Sequence, residues 1–200
     1  MISCIKKAKS LRNELRIFSL GHLINQGYRI MLFGWFSKKK EDSSTIKHKV
    51  VSRKEASEEY VKYGEDMANS NNLDKAIECF DKAIGINPKN DFAWGDRGLI
   101  LDKQGKTEEA LESFSKAIEI DPKNAITWHN KGLCLIRSTR LQEAIDCFDK
   151  AIENKEDYAK AWYNKGRALS LLGELKRSQD CFDKARKLDP LLYTKLKKMK

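Results

Sequence analysis

The pentapeptide CFDKA, at residues 79–83, 147–151 and 181–185, is where reactive chemistry could sit in this chain. Its thiol, carboxylate and ammonium could make an activated nucleophile, or three thiolates could gather around one metal ion. A nucleophilic cysteine needs a histidine placed beside it. The chain has three histidines, of which His22 and His48 lie in the first 56 residues and His129 lies far in sequence from each copy. No CxxC, HxxxH or HExxH spacing occurs, and no glycine-rich loop suited to phosphate. The expectation is a protein that is not an enzyme and holds neither metal nor cofactor.

The spacing of the copies says what they are instead. The last two are 34 residues apart and the first two 68 apart, and the missing copy falls on SFSKA at 113–117. Trp94, Trp128 and Trp162 keep the same interval, with Tyr60 one interval earlier. Counted from Ser57, four units follow: 57–90, 91–124, 125–158 and 159–192. Gly64, Gly98, Gly132 and Gly166 hold position 8; Phe80, Phe114, Phe148 and Phe182 hold position 24; Ala83, Ala117, Ala151 and Ala185 hold position 27. Positions 4, 8 and 11 follow the i, i+4, i+7 stripe of one helix, and 20, 24 and 27 that of a second. Polar breaks at 69–72, 104–106, 138–140 and 173–174 separate the two. Pro88, Pro122 and Pro190 close the second helix, because the residue before proline disfavours α geometry. Each unit reads as a helical hairpin with too little core to stand alone, and stacking supplies the rest.

This pattern resembles the tetratricopeptide repeat, with its 34-residue period and W-x₂-L-G…A-x₃-F…P signature. The resemblance covers residues 57–190, with one regular departure: position 7, usually leucine, is Tyr63, Arg97, Lys131 and Lys165. The phrases WHNKG, WYNKG and ECFDKAI are similar to tetratricopeptide proteins of methanogenic archaea. The fold this implies is an all-α, right-handed α-solenoid. In the fourth unit Gln179 and Arg186 replace the apolar residues of positions 21 and 28, giving a polar outer face suited to the end of a stack. The lysine-rich residues 193–200, with Leu196 and Met199, read as a capping helix. The CFDKA cysteines, at position 23, sit at the edge of the buried stripe and pack as small hydrophobes.

The resemblance moves the search for function to the first helix of each hairpin, whose positions 2, 5, 6, 9, 12 and 13 line a concave face in the family. Here they give Glu58, Lys62 and Glu65 in the first unit and Phe92, Asp96, Leu99, Asp102 and Lys103 in the second. The third contributes Ile126, His129, Asn130, Leu133 and Arg137, and the fourth Lys160, Tyr163, Asn164 and Arg167. Phe92, Leu99, Ile126, Leu133 and Tyr163 form an apolar middle, and charge along these positions runs −1, −1, +1, +2. The implied function is a protein-interaction scaffold that takes a peptide or helix of a partner, its acidic end toward Lys160 and Arg167. Co-chaperones of the family carry a clamp for C-terminal carboxylates. Asn130 and Lys160 match it, but Gly95, Leu99 and Asn164 do not, and no such clamp is expected.

The net charge of +10 is unevenly held. Residues 1–56 carry 13 Lys/Arg against 4 Asp/Glu, and the last ten residues add four lysines with no acid. The middle, 57–190, is left with 22 bases and 25 acids, a balance of −3 that counts against an RNA-associated repeat protein. Five cysteines with no clean secretory signal suggest a reducing cytoplasm. The head, residues 1–56, falls outside the period, and EDSST at 41–45 reads as linker. For MLFGWFSKKK (31–40) three readings stand. Met31 starts the chain and this is a short tail; or aromatics and lysines anchor the protein peripherally at a membrane surface; or the head is a helix docked on the first unit. A membrane span over 17–36 is opposed by His22, Asn25, Gln26 and Arg29.

Overall fold

The computed structural model describes residues 52–198, so the expectations for residues 1–51 and for Met199 lie outside the described residues. Nine helices and no strand occur among the described residues: α1 (Arg53–Asn69), α2 (Leu73–Ile86), α3 (Asp91–Lys103), α4 (Thr107–Ile120), α5 (Ala125–Arg137), α6 (Leu141–Asn154), α7 (Ala159–Leu171), α8 (Leu175–Leu188) and α9 (Pro190–Lys198). Consecutive helices pack in pairs to form hairpins, and each hairpin packs on the next. The architecture is an α-solenoid.

Two bounds differ from the sequence expectation. The first helix starts at Arg53, ahead of Ser57, because Ser52 and Glu55 form a reciprocal capping box. The last helix starts at Pro190, where proline at the first helical position needs no amide donor.

Within each hairpin, glycine meets phenylalanine. A Cβ added at Gly64, Gly98, Gly132 or Gly166 falls 2.6–2.9 Å from the ring of Phe80, Phe114, Phe148 or Phe182. The hydrogen of glycine is thus what lets the two helices close on the ring. Phe80, Phe114 and Phe148 are fully buried with Ala76, Ala110 and Ala144 beside them. The turn inside each hairpin ends in a left-handed residue: Asn71, Gly105, Thr139 and Gly173. The next amide then reaches back to the helix just ended, as Arg140 does to the Leu135 carbonyl at 2.9 Å. Thr139 takes this conformation at a cost, since a β-branched side chain disfavours it.

Between hairpins, each tryptophan grips the turn before it. The indole N–H of Trp94, Trp128 and Trp162 donates to the carbonyl of Pro88, Pro122 and Glu156 at 2.9–3.0 Å. The departure at position 7 has a matching explanation. Arg97 pairs with Asp81 at 2.7 Å, Lys131 donates to Ser115 at 3.0 Å, and Lys165 pairs with Asp149. Asp81 and Asp149, the aspartates of the first two CFDKA copies, therefore receive the cation that replaces leucine at position 7 of a neighbouring unit. The cysteine of CFDKA packs as expected: Cys79, Cys147 and Cys181 are buried free thiols. Burial pushes the Cys147 thiol up to about 11, the reverse of an activated nucleophile.

Candidate functional site

Successive first helices touch one another directly (α1 with α3, α3 with α5, α5 with α7), whereas successive second helices do not. The stack therefore bends toward its first helices, which form the inner face of a groove.

At its α1–α3 end the groove is open and acidic. A cavity of about 280 Å³ is lined by Glu65, Ala68, Phe80, Asp96, Leu99 and Lys103. A second, of about 550 Å³, lies toward the helix N-termini between Lys54, Glu58, Asn87, Lys89, Asp91 and Phe92. Burial, with the Glu65 and Asp91 carboxylates nearby, raises the Asp96 carboxyl to about 6. Among the described residues no salt bridge or side-chain hydrogen bond compensates it.

The middle is apolar and uncovered. Phe92 is 66% exposed and Ile126 60% at the first turns of α3 and α5, with Leu99 and Leu133 half-buried about two turns further along the same helices. Two of the charges expected here cancel: the Arg137 guanidinium forks onto the Asp102 carboxylate, its Nε donating at 2.9 Å.

Toward α7 the groove closes. His129, expected on the groove surface, is only 5% exposed, its ring against Phe148 and Tyr158 at centroid distances of 5.7 and 5.1 Å. Asn164 Nδ2 donates to His129 Nε2 at 3.0 Å, and Arg167 donates to Asn164 Oδ1 at 3.2 Å. Nδ1, 3.4 Å from Asn130 Oδ1, then carries the ring proton. Burial, with Lys160 nearby, lowers the His129 pKa to about 4, so the ring is neutral. Tyr163 differs from expectation too. It is 3% exposed because α9 lies over it, with Tyr193 edge-on to Tyr163 at 5.9 Å and to Phe182 at 6.3 Å. Lys160 stays exposed and Arg167 half-buried.

One residue at a turn marks this closure. Asn90 and Asn124 cap the helices that follow them, but the equivalent residue of the third unit is Tyr158, which makes no cap and instead shelters the His129 ring.

With the fold and groove in view, comparison with known proteins gives a consistent answer. Four tetratricopeptide repeat models match, over residues 68–90, 92–124, 113–146 and 159–192. The chain belongs to the tetratricopeptide repeat family. No curated protein sequence matches it. Among solved structures, a crystal structure of MamA is 24% identical with a TM-score of 0.60, over 64% of this chain and 74% of that one. MamA from Desulfovibrio magneticus RS-1 is 22% identical with a TM-score of 0.62, over 67% of this chain and 76% of that one. The pilF protein of Pseudomonas aeruginosa is 22% identical with a TM-score of 0.65, over 69% of this chain and 63% of that one. Likeness at this level is likeness of fold. The matching family models are all of a repeat that builds protein-interaction scaffolds, and none is of an enzyme. Among the described residues, no group of acidic, histidine and cysteine side chains is suited to a metal, and no helix is long and apolar enough to cross a membrane.

Proposed function

We propose that this tetratricopeptide protein is a non-catalytic scaffold that binds a peptide or helix of a partner protein in its inner groove. Exposed Phe92 and Ile126, flanked by Leu99 and Leu133, are the observation that carries the reading. Apolar side chains of this size, lined up across neighbouring helices, suit contact with another chain better than contact with water. Because Asp102 and Arg137 neutralise each other, the remaining charge lies at the two ends: Glu65 and Asp96, partly offset by Lys103, at one, and Lys160 and Arg167 at the other. The partner's apolar residues lie on the middle and its acidic end lies toward Lys160 and Arg167. The residues of the site are Phe92, Asp96, Leu99, Ile126, Asn130, Leu133, Lys160 and Arg167. His129, Tyr163 and Asn164 support it from beneath.

A pull-down with the full chain as bait tests this, with Leu99→Asp/Leu133→Asp as the groove-blocked control. Partners retained by the parent and lost by the control support the reading, and identical capture by both refutes it. Lys160→Glu/Arg167→Glu is expected to weaken the same partners about tenfold, since losing two rim attractions and gaining two repulsions is worth a little over 1 kcal/mol. Unchanged affinity refutes the orientation.

A further inference from the structure

The groove's open end carries a half-buried carboxylate, Asp96, beside a cavity; Lys103 lines the same cavity, but no cation pairs with Asp96 among the described residues. An uncompensated, half-buried charge is costly, and a cationic side chain whose aliphatic stem lies on Leu99 and Phe80 would relieve it. The chain has such side chains next to apolar ones. In MLFGWFSKKK, Phe33, Trp35 and Phe36 come just before Lys38, Lys39 and Lys40. The groove offers apolar Ile126 on α5, Phe92, Leu99 and Asp96 together on α3, and Glu65 on α1.

Reach permits the match. The rise along α1 from Ser52 to Glu65 is about 20 Å at 1.5 Å per residue. The eleven residues 41–51 can span up to about 36 Å. Neighbouring first helices in contact lie about 10 Å apart, so ten extended residues of about 33 Å cross from α1 to α5 with length to spare. Charge agrees as well, because residues 1–56 carry an excess of nine positive charges and the repeat body carries −3.

We propose that residues 31–40 of this same chain occupy the groove, their aromatic residues on Phe92, Leu99 and Ile126 and their lysines at Asp96 and Glu65. The head is then an internal competitor for the partner site. It fills the apolar middle and the acidic end but leaves Lys160 and Arg167 unused, so a partner ending in carboxylates displaces it. This rests on the groove being a peptide site, yet its test needs no partner.

The test places the photo-crosslinker p-benzoyl-phenylalanine at Trp35 in the full chain, mixed with an isotope-labelled copy so that links within and between chains differ in mass. The expected result is a link within one chain to the peptides holding Phe92, Leu99 or Ile126. Its yield should fall about fivefold in Lys38→Glu/Lys39→Glu/Lys40→Glu, which is lost ion pairing of about 1 kcal/mol. Circular dichroism checks that each variant folds. The milder Asp96→Asn is expected to lower the yield two- to threefold, and Glu65→Lys is expected to restore part of the yield lost in the lysine variants. Links only between copies, links outside the groove, or yields unmoved by the charge changes overturn the proposal. So does flotation of the chain on phosphatidylserine vesicles without the internal link. An internal link with no captured partner leaves this inference standing and removes the partner reading, and the reverse pattern does the opposite.

Discussion

The two ends of the groove are built from the same repeat and respond oppositely to charge. At the α1–α3 end, a carboxylate is held in a poorly hydrated place with an opening beside it. At the α5–α7 end, a neutral histidine is sealed under aromatic rings and bonded to Asn164. One end is polar and open; the other is closed over by its own aromatic rings. The difference teaches that copies of one repeat diverge through single positions, as where Tyr158 stands in place of the capping Asn90 and Asn124.

Acid should separate the ends most strongly. The folded pKa of His129 lies below the ordinary 6.5, so its contribution to stability is full above 6.5 and is lost as pH falls toward 4. At pH 5 the loss is about 2 kcal/mol, rising to about 3 at pH 4. Asp96 is raised above 3.8, so the fold gains as pH falls through 6, by about 1 kcal/mol at pH 5. Amide hydrogen exchange, corrected for intrinsic rate, is expected to show α5–α7 losing protection and α1–α3 gaining it between pH 7 and 5. His129→Gln should remove the first trend only. Parallel trends at both ends break the comparison.

The hairpins themselves should not differ. A Cβ at Gly132 meets the Phe148 ring at 2.7 Å and one at Gly64 meets Phe80 at 2.6 Å. Gly64→Ala and Gly132→Ala are each expected to cost about 1–3 kcal/mol in urea unfolding. A large gap between them would place the asymmetry in the cores rather than on the groove. A smaller effect should come from Asp96→Asn, which removes the desolvated charge and raises stability at pH 7 by about 1 kcal/mol while flattening the acid gain. Smallest is Thr139→Gly, expected to stabilise by under about 1 kcal/mol by relieving the left-handed turn of the third unit.

The period made the helices, their pairing and the glycine–phenylalanine contact legible, because each rests on spacing within one hairpin. What spacing could not show depends on contacts between hairpins. Arg97 and Asp81 are 16 residues apart, an interval with no helical meaning, so spacing does not reveal their pairing. Tyr163 looked like an exposed anchor because α9, arriving 30 residues later, is what covers it. His129 looked like a groove residue by position, and its burial depends on Tyr158, which stands at the turn before α7 where the earlier units carry asparagine. Phe92 and Ile126 are exposed because nothing among the described residues packs over α3 and α5 on that side.

The tryptophan that grips each inter-unit turn has an optical consequence. Trp94, Trp128 and Trp162 place one indole at each of the three junctions, every N–H already bonded to a carbonyl. Opening one junction frees one indole to water and shifts the emission of that indole alone. With the other tryptophans changed to phenylalanine, the chain becomes its own single-junction fluorescence probe, and the order in which the stack comes apart can be read without attaching a dye.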